Sequence, residues 1–205
     1  MPNQKLNLEI PKLPWLDEKT EIFRAGEIRP GLAWLPQSPG QWHQYAEGYR
    51  DAAESLYTKW REGPIQPDYL AYPMVYLYRH YVELMLKEFL LSAKRAGLIQ
   101  LPENWECNHN LKKLWDRIHP LLGELFPNEP ERDATNAKRL IYELHTRDQF
   151  SQEFRYPTSR EGKGHLADME RLDIDNFFDA MRRLAGFLDG MSGQFADYLD
   201  HPRSV

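Results

Sequence analysis

The sequence predicts an all-α, up-and-down bundle of four to five helices, preceded by an extended, proline-rich N-terminal arm. Five stretches after residue 40 repeat apolar residues at three- and four-residue spacing, which is the period of an amphipathic helix. Six of the 15 prolines fall before residue 40, where they oppose helix formation. A chain of 205 residues with 41% hydrophobic content can bury one sizeable core. We therefore predict an arm over residues 1–39 and a helical body over residues 40–205.

The arm carries too many large apolar side chains for a free tail. Trp15, Phe23 and Trp34 predict that it packs on the helical body. The alternation of apolar and polar residues in LNLEI, at positions 6–10, is typical of a short edge strand.

The first two predicted helices form the longest apolar surfaces. The first begins near Gln41 and ends at Gly63, and the second runs from about Tyr69 to Lys94. The second helix is apolar around most of its circumference, so we expect it to lie at the centre of the bundle.

Three further helices follow. Asn108 or His109 can open the third, which Pro120 should kink or end. The fourth runs from about Glu131 to Gln149, and a loop over residues 151–172 leads to a last helix capped by Asp173 or Asp175.

Composition excludes several classes of protein. The formal charge of −5 excludes a globally basic nucleic-acid binder, and we expect no sequence-specific DNA binding, although a local basic groove stays possible. The single cysteine, Cys107, excludes an internal disulfide framework. Charges interrupt the longest apolar stretch, and the N-terminus lacks the apolar core of a signal peptide. These features predict a cytoplasmic protein that does not cross a membrane.

Three short motifs carry a family resemblance. A long helix containing LYRHYVELMLKEFLLSAKRAG is followed by His109-Asn110-Leu111 and later by Arg155-Tyr156-Pro157. Their order and spacing, over residues 68–195, resemble bacterial members of the HEPN superfamily. The resemblance implies a four- or five-helix bundle, a homodimer, and a role that ranges from nucleotide or RNA binding to RNA cleavage.

The ribonucleases of this superfamily carry an Arg followed, after four to six residues, by a His. Arg139 and His145 have five residues between them, but Leu140 stands where the family often has Asn. On a helix, a separation of six positions turns two side chains about 240° apart. As a catalytic pair, His145 would be the general base and Arg139 would stabilise the phosphorane charge without a metal. The alternative is a chance match between two helix-surface residues.

Candidate ligand contacts lie on the second helix and at the start of the third. The second helix has a polar stripe formed by Arg79, His80, Glu83 and Lys87, in which Arg79, Glu83 and Lys87 stand four residues apart. This stripe is either a solvated face with ion pairs or the floor of a polar groove. His109 either belongs to a helix cap or lines that groove together with Lys113.

Arg155 and Tyr156 are the candidate contacts in the long loop. An arginine fork can clamp a phosphate and a tyrosine can stack on a base. The structural alternative pairs Arg155 with an acid of the bundle and buries Tyr156.

The sequence contains no glycine-rich phosphate loop and no zinc-ligand spacing, so we predict neither a cofactor nor a metal. We expect a non-catalytic nucleotide- or RNA-binding module. A metal-independent endoribonuclease and a purely structural or protein-interaction bundle are the alternatives. The surplus of tyrosines on the first two helices predicts a homodimer, unless the N-terminal arm covers that surplus within a monomer.

Overall fold

The chain divides into two compact units, Met1–Gln37 and Ser38–Val205. The computed structural model describes residues 18, 20–23, 26–27, 30–35, 41–63, 68–127 and 130–200. The predicted strand over residues 6–10 and the side chain of Trp15 lie outside the described residues. The packing of the arm on the helical body stays a prediction.

The second unit is an all-α helical bundle, which confirms the predicted fold class. Its described residues form five α-helices: α1 (Trp42–Glu62), α2 (Ala71–Arg95), α3 (Leu111–Leu125), α4 (Glu131–Arg147) and α5 (Ile174–Asp200). Short 3-10 helices over Asp68–Leu70 and Trp105–Cys107 precede α2 and α3. The β-structure in the described part of the chain is one isolated bridge, between Thr158 and Gly164.

Helix α2 lies at the centre of the bundle, as its apolar circumference predicts. It packs against α1, α3 and α5, and Tyr78, Tyr81 and Met85 along its length are fully buried. A helix in this position buries every face, including the stripe that carries its charges. That placement determines the geometry of the candidate site.

Side-chain caps fix where two helices begin. The Oδ1 atom of Asn110 accepts the backbone N–H of Lys113 at 2.9 Å, and Asp173 Oδ1 accepts that of Asn176 at 3.0 Å. Each contact satisfies a donor that has no partner within its helix. Asp173, one of the two predicted candidates, therefore caps α5, while the cap of α3 is Asn110 and not the predicted Asn108 or His109.

Pro120 was predicted to kink or end α3, and the second alternative is wrong because the helix continues to Leu125. Pro120 and Asp116, whose carbonyl would accept the missing N–H, both lie on the exposed side of the helix. Water can reach that side, so losing one hydrogen bond there costs less than it would in the core.

Candidate functional site

Three charged residues of α2 form a buried ionic cluster with Asp148. Arg79, Glu83 and Lys87 stand four positions apart, so their side chains are neighbours on the helix. Each is at most 3% exposed. Of the two alternatives for this stripe, the solvated face is therefore wrong, because the rest of the bundle covers these three residues.

Glu83 is the acceptor at the centre of the cluster. Arg79 Nη1 donates to its Oε2 at 2.5 Å, and Lys87 Nζ donates to its Oε1 at 2.8 Å. Burial raises the pKa of this carboxyl, but the hydrogen bonds and charges of Lys87 and Arg79 outweigh burial and lower the pKa to about 2. Glu83 is therefore ionised across the physiological range.

Arg79 and Lys87 tie α2 to more distant parts of the chain. Arg79 donates to the carbonyl of His109 at 2.6 Å and to the carbonyl of Asp148 at 3.2 Å. Lys87 donates to the carbonyl of Glu106 at 2.5 Å. Arg79 and Glu83 are consequently engaged within the fold rather than open to a ligand, and any contribution they make to binding is indirect.

His109 is the member of this arrangement that reaches solvent. Its Nδ1 lies 2.8 Å from Glu83 Oε1, while 57% of its side chain is exposed. The buried carboxylate and the Arg79 contact to the His109 carbonyl together hold the imidazole in one position. Lys113 lies exposed in the first turn of α3, on the C-terminal side of His109.

Asp148 ends α4 and was not singled out by the sequence. Its Oδ1 accepts the backbone N–H groups of Gln152 at 2.7 Å and Glu153 at 3.3 Å, and so shapes the loop that follows. Burial, reinforced by the neighbouring Glu153 carboxyl, raises the pKa of Asp148. An acidic residue at the C-terminus of a helix interacts unfavourably with the helix dipole. This unusual placement was the sequence feature that could have drawn attention to Asp148.

A partly exposed cluster of rings and one guanidinium lies toward the start of α2. The Arg155 guanidinium carbon is 5.3 Å from the ring centroid of Tyr76 and 5.5 Å from that of Tyr156. The ring of Tyr76 stacks on that of His80, with centroids 5.9 Å apart, and Tyr49 of α1 meets His80 edge-on at 4.4 Å. We call these five residues the aromatic–arginine surface.

The loop holds Arg155 in place through its backbone. Arg155 Nε donates to the carbonyl of Ser151, a residue in the left-handed region with φ 60°. This conformation is energetically unfavourable for a non-glycine residue, so the surrounding structure must stabilise it. Tyr156 is 55% exposed, which makes the alternative with a buried Tyr156 wrong.

The charge of His109 acts on His80, a member of the aromatic–arginine surface. Burial lowers the pKa of His80, and among the neighbouring cations His109 lowers it further. Arg155 lies over Tyr76 and Tyr156, whereas His109 contacts Glu83, and no described contact joins His109 to Arg155 or Tyr156. Sequence analysis placed His80 on the polar stripe of the second helix and Tyr49 and Tyr76 in the surplus of tyrosines, but it did not predict that these three side chains lie together.

Arg139 and His145 are not brought together. Arg139 is exposed, lies 3.5 Å from Glu143, and lines a cavity between α4 and α5. His145 is half-buried beside Arg79 and Lys112, and burial followed by those two cations lowers its pKa. The two side chains thus face different neighbours, as their helical separation predicts.

Within the described part of the chain, no group of three or more His, Cys, Asp or Glu side chains could hold a metal ion. None of the helices described is long and apolar enough to span a bilayer. Comparison with protein-family models, with curated proteins and with solved structures gives no match for this chain.

Proposed function

We propose that this chain is a HEPN-like helical domain that binds a nucleotide or a segment of RNA on its aromatic–arginine surface, without cleaving it. The observation that carries the proposal is the Arg155 guanidinium, which lies over the rings of Tyr76 and Tyr156. Of these rings, that of Tyr156 is the more exposed and is free to stack on a base.

The chemistry of this surface suits an unpaired nucleobase with its phosphate. Single-stranded RNA is bound mainly by stacking on aromatic rings and guanidinium planes, which requires no extended basic groove. The one described hydrogen bond of Arg155 uses Nε, so both terminal nitrogens can meet a phosphate. A local site of this kind is compatible with a net charge of −5.

The buried ionic cluster supports the proposal by holding His109, a further candidate ligand contact, in one position. Glu83 and Arg79 hold His109 at the start of α3, so its exposed imidazole needs little reordering to contact a ligand. A side chain that is already ordered loses less conformational entropy on binding.

The test is RNA binding by Arg155→Ala, followed with a short labelled single-stranded RNA at low salt. We expect affinity to fall about ten- to hundred-fold, because a charge-assisted hydrogen bond contributes about 1.5–3 kcal/mol. The melting temperature should stay unchanged. Tyr156→Ala should also weaken binding, since stacking contributes about 1–3 kcal/mol per base.

Arg183→Ala is the matched control, because Arg183 is an exposed arginine of α5 that pairs with Asp179. It removes the same charge and should leave RNA affinity within about two-fold. Equal losses in Arg155→Ala and Arg183→Ala, or no binding by the unaltered protein, would contradict the proposal. Cleavage of the RNA in EDTA that is abolished by His145→Ala would instead favour the ribonuclease alternative.

The HEPN resemblance also leads us to propose a homodimer. Tyr45, Tyr69 and Tyr72 are exposed on α1 and around the start of α2, where a two-fold contact could cover them. Light scattering should give a mass about twice the 24.3 kDa of one chain. A mass equal to that of one chain at micromolar concentration would contradict the dimer.

A further inference from the structure

A pocket of about 640 Å³ lies in the loop between α4 and α5. It is lined by residues of the segment over 146–153, at the end of α4 and the start of the loop, and of the segment over 159–168. Ligand sites commonly occupy about 300–1,000 Å³, so this space has room for a nucleotide. We call it the loop pocket.

Backbone hydrogen bonds join the loop pocket to Arg155 and Tyr156. The N–H groups of Arg155 and Tyr156 both donate to the carbonyl of Gln152 at 3.0 Å, and Gln152 lines the pocket. On the C-terminal side of Tyr156, the N–H of His165, which also lines the pocket, donates to the carbonyl of Pro157 at 3.1 Å. The loop pocket and the two loop residues of the aromatic–arginine surface are therefore adjacent parts of one hydrogen-bonded loop.

A short hairpin over residues 157–165 forms one wall of the loop pocket. Thr158 pairs with Gly164 in an antiparallel bridge, and the N–H of Ser159 donates to the carbonyl of Lys163 at 2.8 Å. Gly162 takes the positive φ of 76° that the turn at the tip requires. A wall that is already ordered needs little rearrangement when a ligand binds.

This wall and the start of the loop present two cations and one ring to solvent. Arg160 and Lys163 are exposed at the tip of the hairpin, and Phe150 is 64% exposed. An exposed aromatic ring can stack on a nucleobase, and an arginine or lysine can contact phosphate oxygens. The lining thus combines the two kinds of contact that hold a nucleotide of a single strand.

The acids of the loop pocket already accept hydrogen bonds from the protein. Asp168 pairs with Arg147 at 2.8 Å, Glu161 Oε2 accepts the Ser159 hydroxyl at 2.9 Å, and Glu153 accepts a backbone N–H at 3.2 Å. These three carboxylates equal the arginines and lysine of the lining in number. A phosphodiester with one negative charge therefore suits the pocket better than a triphosphate does.

We infer that the ligand is a single-stranded RNA segment of at least two nucleotides, with one base on Tyr156 and the neighbouring nucleotide in the loop pocket. The second base lies against Phe150, and a phosphate contacts Arg160 and Lys163. The inference rests on the proposed function and selects a strand over a mononucleotide, because only a strand can occupy both places at once.

The test compares the dinucleotide ApA with AMP by titration calorimetry at low salt. ApA has the second base but the smaller negative charge, so a higher affinity for ApA cannot come from charge alone. We expect ApA to bind at least about five-fold more tightly, the lower limit for stacking of one further base. Phe150→Ala should remove that preference and leave the affinity for AMP unchanged.

A pair of double variants tests the cations. Arg160→Ala combined with Lys163→Ala should weaken ApA binding about ten-fold, as expected for a charge-assisted contact to phosphate. Lys94→Ala combined with Arg95→Ala is the matched control, because these two exposed residues carry the same charges in the last turn of α2. The control should leave ApA affinity within about two-fold.

The outcomes separate this inference from the proposed function. If ApA and AMP bind with equal affinity that depends on Arg155, the inference is overturned and the proposed function is not. If neither ligand binds, both are overturned. A preference for ApA that persists in Phe150→Ala, or equal losses in the two double variants, would show that the second nucleotide does not lie in the loop pocket.

Discussion

The buried ionic cluster and the aromatic–arginine surface both include residues of α2, yet their charged groups differ in burial and in the number of polar contacts they make. In the cluster, Glu83 is contacted by two cations, and Arg79 also bonds carbonyls at the start of α3 and the end of α4. On the surface, Arg155 lies over tyrosine rings and bonds one carbonyl. The residues with the most polar contacts are thus the least accessible to a ligand.

This difference separates structural from functional charge. A buried ion whose partner is removed is left unpaired in a medium that solvates it poorly, so the fold loses stability. An exposed cation over aromatic rings loses little when it is replaced, because water solvates what remains. Stability measurements should therefore respond to the cluster, and binding measurements to the surface.

The largest expected effect is that of Glu83→Gln on stability. Removing this carboxylate leaves Arg79 and Lys87 buried without their shared counter-ion, which should cost about 3–5 kcal/mol of unfolding free energy. Urea unfolding followed by circular dichroism measures the loss. The same change should alter RNA affinity only through His109, which would lose its contact to Glu83.

Glu143→Gln is the matched control, because Arg139 and Glu143 form a pair with the same four-residue spacing at the surface of α4. The side chains of this pair are 67% and 68% exposed, so the loss should stay within about 0.5 kcal/mol. Similar losses from Glu83→Gln and Glu143→Gln would show that burial does not distinguish the two pairs.

The sequence predicted the bundle well because helical periodicity is a local signal. The breadth of apolar surface on α2 identified the central helix. Asp173 was one of the two predicted caps of α5, and the predicted start of α3 at Asn108 or His109 lies within two residues of the observed cap, Asn110. The predicted end of α3 at Pro120 was wrong because the free-energy cost of a proline in a helix depends on whether water reaches the lost hydrogen bond, and periodicity alone does not show that exposure.

The site was predictable only in part, because its contacts join distant segments. Arg155 and Tyr156 were named from their motif, but nothing local indicates that Tyr76 lies under the guanidinium. Glu83 on a polar stripe has the pattern of a solvated residue, and only the placement of α3 and the end of α4 buries it. The Asp148 acceptor depends on the path of the loop after α4 and could not be inferred from spacing.

A smaller effect should appear in the dependence of stability on pH. The pKa of Glu83 is lowered from its ordinary value of 4.5 to about 2 in the folded chain. The stabilising contribution of the ionised Glu83 to the free energy of unfolding is therefore fully present above pH 4.5. That contribution should be lost as pH falls toward 2, and it amounts to about 3 kcal/mol at 1.36 kcal/mol per pKa unit. Asp148 acts in the opposite direction, because its raised pKa makes the folded state bind a proton first as pH falls from neutrality.

The two groups can be separated by measuring unfolding free energy against pH in two variants. Glu83→Gln should lose the steep decline below 4.5, since no carboxylate remains to be protonated at that position. Asp148→Asn should keep that decline but lose the gain in stability that accompanies acidification from neutral pH. An acid decline that persists unchanged in Glu83→Gln would mean that other carboxylates produce it, and that the buried ionic cluster does not set the acid stability of the fold.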